Sequence, residues 1–412
     1  MVTLAVGSGA ISHYGMVTMH SKAWYFSRRF FEEYITLVLS FLVSLVLYRR
    51  EGLASADIRR IVIIKLDHIG DVILSIPAVA NLRAHFPRAH IAMVVNSSSE
   101  PIARYILHVD EVLCYNARFF DRSGSSRMFD FARGARFARE MRRREFDLIV
   151  DLRGSFASLF FALIAKSKYR IDRGTYLVQR KLGRISSAWE HEAEVNLDIL
   201  ARAGVPTRSR EISLHLTQED LDSADSLLRA GPALVGKSSK PHSHSPIIVI
   251  HPGAPVLLKR WPAERYARLT CRLLQEYNAQ IILVGGKGEE WIARSVASAT
   301  TGRDACPTNR QIIDLSGRTT LGQLAAVLRK ADLFIGNDSG PMHLAAACGT
   351  KVIGLFGPTS PQRFGPYGDN CAVLRMERDC PPCMRDECKL PGYRCIDRIS
   401  VDGVMEVVRQ SL

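Results

Sequence analysis

At 412 residues the chain is too long for one ordinary hydrophobic core, and a prior of roughly 150 residues per domain points to two domains with appendages. Hydrophobic residues make up 47% and charged residues 23% of it, which excludes a wholly disordered chain. A formal net charge of +14 attracts polyanions of any kind, yet no basic-aromatic stacking pattern, helix-turn-helix or RNA-binding signature accompanies it, so nucleic acid is not expected as a partner.

The first segment, residues 1–56, holds the apolar run "YITLVLSFLVSLVLYRR" from Tyr34 to Arg50, flanked by Arg28 and Arg29 before it and by Arg49 and Arg50 at its end. It predicts an N-terminal apolar helix. The run is short for a membrane span, which needs about 20 apolar residues. Anchoring on a membrane surface and packing on the body of the protein both remain open. A secretory signal is disfavoured because no small-residue cleavage site follows.

From Arg59 the pattern turns regular. "RIVIIKL" reads as a buried strand, "GDVILSIPAVANLRAHF" as a helix and "HIAMVV" as the next strand, a β-α-β unit. "DEVLCY" and "FDLIVDL" read as further strands, with an amphipathic basic helix within "RMFDFARGARFAREMRRREF" between them. Residues 57–229 are therefore expected to form an N-terminal Rossmann-like domain. The Gly-, Ser-, Pro-, Lys- and His-rich residues 230–246 read as a linker.

After the linker the alternation restarts over residues 247–412. "IIVIHPG", "QIILVGG", "QIIDLSG", "DLFIGN" and "KVIGLFG" read as strands; the segments "PAERYARLTCRLLQEY", Glu289 to Ala299, "LGQLAAVLRKA" and "PMHLAAACG" read as helices. The expected fold is α/β: two doubly wound parallel sheets facing each other across a cleft. Ligands bind such sheets at the carboxyl ends of strands, so the loops after strands are where chemistry is expected.

Four such loops carry distinctive residues. In "KLDHIGDVILSIPA" Gly70 permits a tight turn, and Asp71 falls in the first turn of the next helix, either as a capping carboxylate or as a general base. In "IHPGAPVLLKRWP" Lys259 and Arg260 stand beside a helix N-terminus, an arrangement suited to a phosphate. In "LVGGKGEE" Glu289 or Glu290 can accept hydrogen bonds from ribose hydroxyls or simply favour the helix dipole. In "GNDSGPMHLAAACGTKVIGLFGPTSP" Asp338, Ser339 and Gly340 occupy a strand-to-helix corner suited to a diphosphate; His343 lies one turn later, and Thr359 and Ser360 offer hydroxyls at the next strand end.

Nine cysteines are present, and Cys114, Cys271, Cys306, Cys348 and Cys371 are scattered, which suits a reducing compartment. The remaining four, Cys380, Cys383, Cys388 and Cys395, form a C-x2-C-x4-C-x6-C run. A structural metal, disulfides or plain thiols are all compatible with it.

"IIKLDHIGDVILSIPA", "HPGAPVLLKRWP" and "GNDSGPMHLAAACGTKVIGLFGPTSP", in this order, resemble glycosyltransferase family nine, the family of bacterial lipopolysaccharide heptosyltransferases. The resemblance implies the GT-B fold, with the acceptor on the N-terminal Rossmann-like domain and the nucleotide sugar on the C-terminal one. It implies Asp71 as the base for the acceptor hydroxyl, Lys259 as the cation on the donor diphosphate and Glu289 as a ribose contact. Asp338, Ser339, Gly340 and His343 would hold the diphosphate and sugar. It further implies inversion at the anomeric carbon, ADP-L-glycero-D-manno-heptose as donor, and no cofactor for catalysis.

On that basis the expected activity is transfer of a heptose onto lipopolysaccharide core or a related lipid-linked envelope glycan. The expected place is the cytoplasmic face of the inner membrane, peripheral or anchored, where the positive charge meets anionic lipid and phosphorylated acceptor. A nucleotide-sugar epimerase and a non-catalytic nucleotide-sugar-binding relative are the alternatives.

Overall fold

The computed structural model describes residues 56–116, 131–183, 191–229, 245–299, 312–376 and 394–412, together with Val38, Leu39, Leu42, Val43, Leu53 and Cys388. The first half is built from β1 (Arg60–Ile64), α1 (Ile69–Ile73), α2 (Ile76–His85), β2 (His90–Val95), α3 (Glu100–Ala103) and β3 (Glu111–Cys114). It continues through α4 (Phe131–Arg143), β4 (Leu148–Asp151), α5 (Phe156–Ala165), β5 (Tyr169–Asp172), α6 (Arg173–Lys181), α7 (Glu192–Arg202) and α8 (Gln218–Arg229). The second half runs β6 (Ile247–His251), α9 (Ala263–Tyr277), β7 (Gln280–Leu283), α10 (Glu290–Ala299), β8 (Ile312–Asp314) and α11 (Leu321–Lys330). It ends with β9 (Leu333–Asn337), α12 (Gly340–Ala347), β10 (Lys351–Leu355), α13 (Pro361–Phe364), β11 (Cys371–Leu374) and α14 (Val401–Ser411).

Two sheets result, one of five strands in the order β3-β2-β1-β4-β5 and one of six in the order β11-β10-β9-β6-β7-β8. The pairings are parallel throughout, with β1 hydrogen-bonded to both β2 and β4, and β6 to both β7 and β9. Each sheet thus reverses its winding once, between β1 and β4 in the first and between β6 and β9 in the second, and a crevice opens at the carboxyl ends there.

Both faces of each sheet are covered, so the strands read as unbroken apolar runs rather than alternating ones. Alternate residues of β1 face opposite ways. Val62 and Ile64 pack with Ala138, Met141, Phe161 and Ala162 under α4 and α5. Ile61 and Ile63 join a larger cluster that continues into the second half through Val249, Ile282, Phe334 and Phe356. Helix α8, which precedes residues 230–246, packs on α11, and Asp225 lies 2.8 Å from the Lys330 ammonium.

The single helix expected over residues 70–86 is two helices. The Ser75 hydroxyl donates to Val72 O at 2.7 Å, and Pro77 stands at the start of α2. Proline has no N–H to bond back to Ile73 and its ring would meet that carbonyl, so the chain must break before it. The expected N-terminal apolar helix and the 230–246 linker fall largely outside the described residues; Val38, Leu39, Leu42 and Val43 are helical. Among the described residues no helix is long and apolar enough to cross a membrane.

One buried side chain sets the loop geometry of the second half. Asn337, at the end of β9, donates from Nδ2 to Pro252 O at 2.9 Å and to Gly253 O at 3.0 Å. Its Oδ1 accepts from the Trp261 backbone N–H and from the Tyr266 hydroxyl, both at 3.0 Å. All of its hydrogen-bonding capacity is spent on holding the 252–261 loop against the end of the sheet. Asn337→Ala leaves these buried groups unpaired and is expected to cost about 2–4 kcal/mol. Urea unfolding followed by tryptophan fluorescence checks it, and an unchanged midpoint would contradict the clamp.

Candidate active site

The first crevice is lined with charge that burial makes expensive. Lys65, directly after β1, is 1% exposed and its ammonium lies 3.2 Å from Asp67 Oδ2 and 3.4 Å from Glu192 Oε1. Glu192, at the start of α7, takes a two-pronged contact from the Arg173 guanidinium, with Nη2 to Oε2 at 2.9 Å. Arg153, after β4, reaches Asp67 Oδ1 at 2.6 Å. Burial alone would raise the Glu192 pKa; the Arg173 and Lys65 charges outweigh it and hold the carboxyl far below the carboxylate range.

Asp71 stands in the first turn of α1 above this network. It does not cap the helix: His68 is the N-cap residue and no side chain caps there. Asp71 is half-buried. Burial, with the Asp67 charge next, pushes its pKa up to about 6, against the opposing pull of Lys65. A carboxylate so poised takes a proton readily near neutral pH.

The second crevice holds the remaining expected residues. Lys259 Nζ lies 2.6 Å from Asp338 Oδ2, and the Thr359 hydroxyl donates to the same oxygen at 2.6 Å. Ser339 Oγ donates to Asn337 O at 3.0 Å and lies 3.0 Å from His251 Nδ1. The other ring nitrogen of His251 is 3.3 Å from Glu289 Oε2, and Glu289 also accepts from the Gly286 N–H at 2.9 Å. Burial raises the Glu289 pKa, but the His251 hydrogen bond and charge overcome it and the net shift is downward. The absence of a side chain at Gly253 leaves room for this carboxylate, because a Cβ there would stand 2.5 Å from Glu289 Oε1 and displace it.

The two crevices meet. Helix α1 packs on α12, and a Cβ on Gly70 would come within 2.6 Å of His343 Cδ2. That brings His343, on α12, against the turn that carries Asp71. Burial pulls the His343 pKa down to about 4, so the imidazole is neutral at physiological pH. Around the rim, His191 Nε2 is 3.1 Å from Gly365 O, Arg363 Nε is 3.9 Å from Glu192 Oε2, and the Tyr367 hydroxyl donates to Glu194.

Of the residues singled out in the sequence, Asp71 and Gly340 with His343 lie where the two halves touch, and Lys259, Asp338, Ser339 and Glu289 line the second crevice. The Asp338 carboxylate is engaged by Lys259 and Thr359. Lys65, Asp67, Arg173, Glu192, His251 and Asn337 were not anticipated. A lysine ending an apolar strand run, and a histidine and an asparagine ending two others, were the available signals. Of the cysteine run, Cys380 and Cys383 fall outside the described residues. Among the described residues no group of three or more His, Cys, Asp or Glu side chains is placed to hold a metal ion, and the structural metal that the cysteine run allows has no support.

The sequence profile of glycosyltransferase family 9 (heptosyltransferase) matches residues 134–394. The chain belongs to that family. This glycosyltransferase is 24% identical to lipooligosaccharide heptosyltransferase 2 of Campylobacter jejuni over 352 residues, 84% of this chain and 95% of that protein. In fold it is similar to the family 9 glycosyltransferase of Veillonella parvula, with a TM-score of 0.69, 23% identity and coverage of 85% and 96% of the two chains. It is likewise similar to an Escherichia coli heptosyltransferase solved with ADP, with a TM-score of 0.59, 21% identity and coverage of 86% and 100%. Its two parallel sheets are similar in fold to those of the GT-B heptosyltransferases.

Because the folded pKa of Asp71 is raised to about 6, the folded enzyme keeps a proton there over a range in which the unfolded chain, with a carboxyl near the usual value of about 4, has lost it. Ionised Asp71 therefore costs stability above that range. Asp71→Asn is expected to melt at a higher temperature than the parent at neutral pH, with the gain shrinking as pH falls through about 6 and gone below about 4. Calorimetry across that range checks it; a variant less stable at neutral pH than the parent contradicts it.

Proposed function

We propose that this glycosyltransferase moves a heptose from an ADP-heptose donor onto lipopolysaccharide core, or a related lipid-linked glycan, with inversion at the anomeric carbon. The observation that carries this reading is the packing of α1 on α12. It sets a proton-accepting carboxylate, Asp71, against the helix whose N-terminus follows Asp338 and Ser339. Support for the donor comes from the lipooligosaccharide and lipopolysaccharide heptosyltransferases among the relatives and from the ADP bound by the E. coli heptosyltransferase.

In the proposed step an acceptor hydroxyl attacks the anomeric carbon as the bond from that carbon to the diphosphate oxygen breaks. Asp71 takes the hydroxyl proton and the diphosphate leaves with the bonding electron pair. The transition state resembles an oxocarbenium ion, so charge accumulates on the departing diphosphate. Lys259 and the amides that open α12 are the groups that stabilise it. Asp338, bound to Lys259, holds that ammonium in place. The neutral imidazole of His343 lies between the two reacting sides.

Glu289 is the proposed ribose contact, and His251 fixes it. The His251 ring lies between the two, with Nδ1 3.0 Å from the Ser339 hydroxyl that donates to Asn337 O and Nε2 3.3 Å from the Glu289 carboxylate. One ring thus orients both donor-side residues. None of these steps uses a metal or organic cofactor. The proposed location is the cytoplasmic face of the inner membrane, where the excess of basic residues attracts anionic lipid and a phosphorylated acceptor.

Incubation with ADP-heptose and a heptose-deficient core acceptor is expected to yield ADP and a heptosylated product. Asp71→Asn is expected to lower kcat by about 100- to 10,000-fold while donor affinity changes little. Mass spectrometry of the product and calorimetric titration with ADP-heptose measure the two effects. Donor isomerisation without transfer would overturn the reading in favour of an epimerase, and donor binding without turnover on any envelope acceptor would favour a binding protein.

A further inference from the structure

The charges around Asp71 do not balance. The carboxylates of Asp67, Asp71 and Glu192 face the cations of Lys65, Arg153, Arg173 and Arg363, one cation more than there are carboxylates. The first three cations are tightly held. Lys65 lies 3.2 Å from Asp67 and 3.4 Å from Glu192, Arg153 lies 2.6 Å from Asp67, and Arg173 grips Glu192 with two nitrogens. Arg363 differs. Its Nε stands 3.9 Å from Glu192 Oε2, beyond hydrogen-bonding distance, and its side chain is 52% exposed. Among the described residues none accepts a hydrogen bond from its guanidinium.

Glu192 has little need of this fourth cation, because Arg173 and Lys65 both act on its carboxyl more strongly than Arg363 does. The backbone that carries Arg363 is nevertheless pinned on both sides. Ahead of it the Thr359 hydroxyl donates to Asp338 Oδ2 at 2.6 Å. Behind it Gly365 O is 3.1 Å from His191 Nε2, and the Tyr367 hydroxyl donates to Glu194. The guanidinium rests over the Phe364 ring, 4.8 Å from its centroid, a contact that steadies a planar cation without using its N–H groups. A guanidinium fixed at its base, with its fork of donors unused, matches the paired oxygens of a carboxylate or a phosphate.

Its position selects the substrate. Arg363 belongs to the second half of the chain, yet it reaches Glu192 at the start of α7, in the crevice of Asp71. The groups proposed for the donor diphosphate, Lys259 and the amides that open α12, lie in the second crevice. An anion held by Arg363 is therefore on the side of the attacking hydroxyl.

We propose that Arg363 binds an anionic group of the acceptor, a carboxylate or a phosphate, and so seats the acceptor hydroxyl toward Asp71. This rests on the transfer reading above and names the acceptor group that the chain recognises.

Initial-rate kinetics of the full chain with ADP-heptose and the heptose-deficient core acceptor, untreated or treated with phosphatase, test it. Arg363→Ala is expected to lower kcat/KM for the untreated acceptor by about 10- to 100-fold, chiefly through KM, and Arg363→Lys to recover part of the loss. Donor affinity, measured by calorimetric titration with ADP-heptose, is expected to stay at the parent value. A loss that persists on the treated acceptor supports the proposal with a carboxylate as the anion; a loss confined to the untreated acceptor supports it with a phosphate. An acceptor KM within about twofold of the parent, or a loss that falls on donor affinity instead, would overturn it. A fall in kcat at unchanged acceptor KM, with the pH profile displaced, would also overturn it, since Arg363 would then act through Glu192. No transfer by the parent would overturn both this assignment and the transfer reading.

Discussion

The site depends on a carboxylate held where its charge is disfavoured. Asp71 shares the first crevice with Asp67 and Glu192, two further acids that are buried at its base. Left alone, three carboxylates in one crevice would not all ionise. Lys65 and Arg173 pair with Asp67 and Glu192, while burial, with the Asp67 charge next, raises the Asp71 pKa. The pairing is costly to disturb: removal of one member of a buried ion pair strands the other charge, at about 3–5 kcal/mol. The network is thus a means of keeping one group basic as much as a means of holding β1, β4, β5 and α7 together.

The second crevice solves a different electrostatic problem. Here the need is for positive charge and donors at fixed positions, and each candidate group is held by a partner: Lys259 by Asp338, Glu289 by His251, and the 252–261 loop by Asn337. Fixed groups cost no reorganisation when charge develops on a leaving group. The two crevices share a design because both lie where a doubly wound sheet reverses its winding. They meet at one point because Gly70 lets His343 come against the α1 turn.

Much of this was legible in the sequence. Long apolar runs separated by glycine- and aspartate-bearing corners gave the central strands of both sheets and the residues at their ends, because a buried parallel strand has no polar face to confuse the pattern. The edge strands β5 and β11, of four residues each, carry too little apolar sequence to stand out. Helices α5 to α8 of the first half were not read at all. In the site, Asp71, Lys259, Glu289, Asp338, Ser339 and His343 were visible as unusual residues at strand-to-helix corners. Their partners were not: Lys65 and Glu192 are 127 residues apart in sequence, and Lys259 and Asp338 79 apart, so only the fold brings them together. For the same reason Asp338 could be placed at the corner but not assigned to Lys259.

The central claim is that this environment leaves Asp71 as a carboxylate that accepts a proton near neutral pH. The most direct measurement is the carboxyl carbon resonance of Asp71 in protein labelled with carbon-13 aspartate, identified by its loss in Asp71→Asn and followed through a pH titration. A midpoint near 6 is predicted. A midpoint near the ordinary aspartate value of about 4 would contradict the account, because the buried charges would then leave Asp71 no more basic than an exposed side chain.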